Sequence, residues 1–81
     1  MSGDVAFVRE QGVSFAVVCV PDRVAEGSVE REGTYHLWTR DLGLPVVLMG
    51  ANRHYCYGHK NIVPFVSSID PRRLPWRRVG V

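Results

Sequence analysis

The sequence predicts an α+β domain of order ββαββα, with a mixed four-stranded sheet and two helices. Two uninterrupted apolar runs, at residues 15 to 20 and 45 to 49, read as strands buried on both faces. Two segments of helical period, one between those runs and one after them, read as the helices. Glycines stand where the period changes, at Gly12, Gly43 and Gly58.

The first strand is expected at residues 5 to 9 and the second at 13 to 20, with Gln11 and Gly12 as the turn, because glycine supplies the positive φ a tight hairpin needs. After Pro21 the chain turns polar. Tyr35, Trp38 and Leu42 then recur at i, i+3 and i+7, which predicts a helix over 28 to 42. Ser28 is its expected N-cap, Glu30 and Glu32 suit the positive end of the helix dipole, and Gly43 suits the residue just past its end. Gly33 weakens the middle by about 1 kcal/mol relative to alanine.

Two doubly buried strands separated by a helix-bearing connection imply a βαβ crossover with parallel strands. Gly50, Ala51 and Asn52 then form a turn. Residues 53 to 57 return as a strand, with Tyr55 and Tyr57 on one face and His54 and Cys56 on the other. Ile62, Phe65, Val66 and Ile69 predict the last helix at 62 to 69. Asn61 as its N-cap places Pro64 in the first turn, where a missing N–H costs little, and Asp70 and Pro71 stop it. Residues 70 to 81 are expected as an extended basic tail, partly docked, of a single domain spanning 1 to 81.

A chain of 81 residues buries only about 60% of the surface its unfolded form exposes, so the core must be efficient. The apolar runs are far short of a membrane span, and the start carries no basic region ahead of an apolar stretch. A soluble, cytoplasmic protein with no membrane partner is the expectation. Cys19 and Cys56 stand in no CxxC or CxxH spacing and read as buried or half-buried thiols. The net charge of +2 hides an asymmetry, with seven acids against four bases up to Leu42 and six bases against one acid after it. Nine of the ten bases are arginine, whose planar fork matches carboxylates and phosphates.

Residues 44 to 69 resemble the C-terminal half of glutaredoxin and thioredoxin-like domains, where a proline-led strand, a hairpin, a glycine and a last amphipathic helix follow one another. The matching positions are Leu44-Pro45-Val46-Val47-Leu48-Met49, then His54-Tyr55-Cys56-Tyr57-Gly58, then 62 to 69. The resemblance implies a cis bond before Pro45 and a parallel neighbour in the strand at 15 to 20. The family's CxxC or CxxS has no counterpart in this chain, so thiol redox activity is not carried over. The chain also resembles short bacterial proteins, which implies no function.

His54, Cys56 and His59 lie within six residues and are weak metal candidates, with Cys19 as a further ligand. Structural zinc needs four ligands and catalytic zinc three, so the set is incomplete, and no cofactor is expected. Cys56 with a nearby histidine is also the place to look for a nucleophile, and no oxyanion hole is identifiable. His36 reads as an exposed or boundary residue of the first helix. The tail is the stronger candidate. Arg72, Arg73, Arg77 and Arg78 surround Trp76, and with Arg53, Lys60 and His59 they are expected to form one basic surface.

The competing structural account has Trp76 and Leu74 packing on the core while the arginines face water. The favoured functional reading is a non-catalytic interaction or regulatory protein that binds an acidic protein partner through that surface. Nucleic-acid binding, by arginine on phosphate and stacking on Trp76, is the alternative. A degenerate thioredoxin-like or Cys/His enzyme is the third reading. An edge strand and a small core add homodimerisation to the expectations.

Overall fold

β1 (Ser2–Glu10) and β2 (Val13–Val20) pair antiparallel from Asp4 with Cys19 to Glu10 with Val13, which leaves Gln11 and Gly12 as a two-residue turn. Both turn residues take positive φ, 51° and 81°, the twist that suits a right-handed hairpin. The computed structural model describes residues 2 to 80, and β1 begins earlier than the alternation alone indicates because Ser2 and Gly3, which precede the β2 register, pair with Gly80 and Val79 of the C-terminal segment.

α1 (Asp22–Glu26) and α2 (Ser28–Leu42) follow β2. The first of these helices was not expected from sequence, because its five residues are too few to show a period. Their junction is Gly27, which caps α2 in an extended conformation without a side-chain bond, so Ser28 is the first helical residue and not the expected N-cap. Gly43 ends α2 in the left-handed conformation, φ 66°, as expected, with its N–H bonded to the Thr39 carbonyl.

β3 (Val46–Gly50) pairs parallel with β2, and β4 (Cys56–Gly58) pairs antiparallel with β3. Pro45 is joined by a trans peptide bond, correcting the cis bond that the resemblance implied; its carbonyl accepts from the Ala16 N–H at 3.0 Å. β4 is also shorter than the expected strand at 53 to 57. Asp22 accepts the Asn52 and Arg53 N–H groups at 3.0 and 3.2 Å, and this holds the loop off the ladder. His54 then turns the chain at φ 58°.

α3 (Val63–Ser67) is a five-residue helix where 62 to 69 was expected. Its N-cap is Ile62 and not Asn61, because the His59 carbonyl accepts the Ile62 and Val63 N–H groups and sets the first turn. Pro64 sits within that first turn, as its missing N–H requires. A 3-10 turn, Pro71–Arg73, leads into β5 (Trp76–Gly80), which pairs antiparallel with β1. The expected tail thus supplies a fifth strand, and the sheet order is β4-β3-β2-β1-β5. No helix among the described residues is long and apolar enough to cross a membrane.

The pleat sends alternate side chains into two cores. On one face Val5, Ala16, Val18, Val46 and Leu48 pack under Val24 and Ala25 of α1 and Trp38 of α2. On the other, Ala6, Phe15, Val17, Val47 and Met49 pack under Ile62, Val66 and Leu74. Val46, Val47 and Leu48 are completely buried, about 1.5–3 kcal/mol of burial each, which is why the apolar run at β3 is uninterrupted.

Candidate interaction surface

The sequence-predicted basic residues fall into three places and do not form the single surface expected of them. Arg53 lies in the β3–β4 loop and forks onto Glu26 of α1, its Nη1 donating to the two carboxylate oxygens at 2.9 and 3.2 Å. Lys60 lies past the other end of β4, where the His59 N–H returns to the Val46 carbonyl. Of the four tail arginines, Arg72 and Arg73 lie in the turn before β5 and Arg77 and Arg78 within it, at the opposite edge of the sheet. Four strand spacings of about 4.8 Å separate the two edges, roughly 19 Å.

Within the tail the arginines differ in their freedom. Arg72 is tied to Asp70, donating from Nε at 3.2 Å and Nη2 at 2.8 Å, while its backbone N–H adds a third bond at 3.0 Å. These bonds hold the Asp70 carboxyl down to about 2. Arg78 reaches Asp4 of β1 at 3.5 Å, a loose contact between side chains mostly in water. Arg73 and Arg77 are exposed, and among the described residues no ion pair holds either. Residues paired with Val5 and Ala6 face opposite cores, so Arg77 projects on the α2 side and Trp76 on the α3 side, with Arg78 beside it.

Trp76 is half-buried against the α3-side core, and its indole N–H donates to the Pro71 carbonyl at 2.8 Å. Two shallow clefts share Trp76 and Cys19. One, of about 310 Å³, also takes in Met49, His54, Asp70 and Arg72; the other, of about 410 Å³, takes in Asp4, Arg77 and Arg78. A third cavity of about 360 Å³, between Val13, Phe15, Pro45 and Phe65, lies at the far end of the same face.

His54, Cys56 and His59 are not brought together. His54 stands outside the strand, its Nδ1 lying 3.2 Å from the Gly50 carbonyl, so it does not share a strand face with Cys56. His59 lies beyond Gly58, its Nδ1 accepting the Asn61 N–H at 3.3 Å. Among the described residues no three His, Cys, Asp or Glu side chains are grouped to hold a metal ion. Burial pushes both thiols up, and for Cys19 the Asp4 and Asp22 carboxylates push further. Such thiols carry little thiolate at neutral pH.

Sequence reasoning missed the cluster that fixes β4. The Tyr57 hydroxyl donates to Glu32, His36 lies 3.0 Å from the same carboxylate, and the Arg31 guanidinium sits 4.3 Å over the Tyr57 ring. The hydrogen bond from Tyr57, foremost, lowers Glu32 from the usual carboxylate range and raises Tyr57. The spacing of Glu32 and His36 at i, i+4 was the available signal. Asp22 was missed as well, and its Pro-Asp context was readable as a helix start. Comparison with known proteins finds no matching family model, no matching curated protein and no matching solved structure.

Proposed function

We propose that this chain is a non-catalytic interaction protein that binds an acidic protein partner through its C-terminal strand. The observation that carries the reading is the position of β5, an edge strand whose Arg77 and Arg78 are exposed and whose approach carries exposed Arg73. Arginine forks bind carboxylates in two-point contacts, and Arg77 has no such contact among the described residues.

The same geometry disfavours nucleic acid. A phosphate chain is tracked by cations lining one groove, with aromatic rings open to stacking. Here Arg77 and Arg78 project to opposite sides of the strand, and the Trp76 ring is packed and anchored to Pro71. The thiol-enzyme reading has no support from two raised, separated cysteines.

The test is a pull-down from cell extract with the wild-type chain and with the double variant Arg73→Glu/Arg77→Glu, each with and without nuclease. A protein captured regardless of nuclease, lost with the double variant, and an unchanged thermal midpoint are the expected results. Capture that vanishes with nuclease would move the reading to nucleic acid. Equal capture by both chains would overturn it.

A further inference from the structure

We infer that β5 receives the acidic partner as a sixth strand, and that the segment it accepts carries two adjacent acidic residues between two apolar ones. This rests on the interaction reading above and specifies its geometry. Among the described residues nothing pairs with the outer side of β5, so its free main-chain groups form a template for one more strand.

The side chains of β5 define what that strand must carry. Residues directly opposite each other across a strand pair hold their Cβ atoms about 4.5–5.5 Å apart, and successive residues alternate faces. Arg77 on the α2 side and Arg78 on the α3 side therefore each meet one of two consecutive residues of the incoming segment, and both must be acidic. Trp76 and Val79 flank the arginines, each half-buried on its own side, so apolar residues opposite them would complete the two cores. The pattern apolar-acid-acid-apolar is symmetric and suits either strand direction.

A second copy of this chain does not fit. Pairing two β5 strands antiparallel over their full length sets Arg78 against Arg78, and like charges directly opposite are unfavourable. Nor do two acidic residues stand adjacent in these 81 residues, so no segment among them supplies the pattern. The occupant is a different protein, offering an extended acidic segment.

The experiment is an NMR titration with the blocked peptide Thr-Val-Glu-Glu-Val-Thr, followed by hydrogen exchange. Its controls are the Gln-Gln analogue and a version with every backbone amide N-methylated. Binding should perturb the amides of β5 and slow their exchange, weaken about tenfold with the Gln-Gln peptide or with Arg77→Glu, and vanish on N-methylation. Binding that survives N-methylation would overturn strand addition while leaving the acidic-partner reading intact. No perturbation of β5 at millimolar peptide would overturn this inference, and the pull-down with the double variant would still decide the broader reading.

Discussion

β4 holds one edge of the sheet with three residues and β5 holds the other with five, and the two edges are built on different physical terms. β4 is short because Asp22 and His54 delay its start and Gly58, at φ 152°, ends it. Its middle residue Tyr57 is held by Glu32 and covered by Arg31, so side chains of α2 close over that edge. β5 is longer and carries adjacent arginines, one on each face of the sheet. Brevity and charge both blunt an edge, and they differ in what they still admit. A short edge offers an incoming strand few free main-chain groups, whereas a charged one disfavours its own copies and favours the opposite charge.

The largest effect tests the closed edge. A Cβ on Gly58 would strike the Val46 carbonyl and lie 3.0 Å from the Val47 Cα, in a conformation side chains rarely adopt. Gly58→Ala should cost about 4 kcal/mol and lower the thermal midpoint by more than 15 °C, roughly. A loss under about 1 kcal/mol would show that β4 can shift, and the edge would not be closed in the sense argued.

Trp76→Ala is expected to cost about 2 kcal/mol, through lost packing and the lost bond to Pro71, and to reduce midpoint by about 10 °C. Exchange of the β5 amides should accelerate more than that of β3. Uniform acceleration across the sheet would mean that β5 has no independent edge behaviour.

The smallest effect is a titration of the approach to β5. The pKa of Asp70 is depressed to about 2 in the folded chain, against about 3.9 unfolded, so its contribution is complete above the unfolded value and is lost as pH falls toward 2. Asp22 and Glu32 are lowered as well, so acid weakens both edges with the same sign. The Arg72 amide resonance should titrate with a midpoint near 2. A midpoint close to about 4 would remove the Arg72 fork from the account.

The elements read correctly from sequence are those whose signal is local. Residues 13 to 20 and 28 to 42 match β2 and α2, and the Gln11-Gly12 turn stands where its glycine placed it. Uninterrupted apolar residues at β3 required cover on both faces, and α2 on one side and α3 with Leu74 on the other supply it. Misreadings cluster where a distant residue intervenes. Residues 53 to 55 alternate as a strand should, and the Asp22 carboxylate, 30 positions away from Asn52, holds the loop that replaces it. Of the candidate site, the arginines and Trp76 were legible as residue types. Which of them were already paired was not, because Asp4 and Arg78 are 74 positions apart.

Alternation, helical period, proline and glycine were enough to specify an α+β chain, its first hairpin and the long helix, since each depends on neighbours within a few turns of chain, and the helix between two doubly buried strands was enough to imply their parallel pairing. Making a strand of WRRVG, separating His54 from Cys56 and His59, and leaving Arg77 without an ion pair among the described residues depended on long-range packing. The outer side of β1 had hydrogen-bonding groups to satisfy, and the tail was the segment in reach that satisfied them.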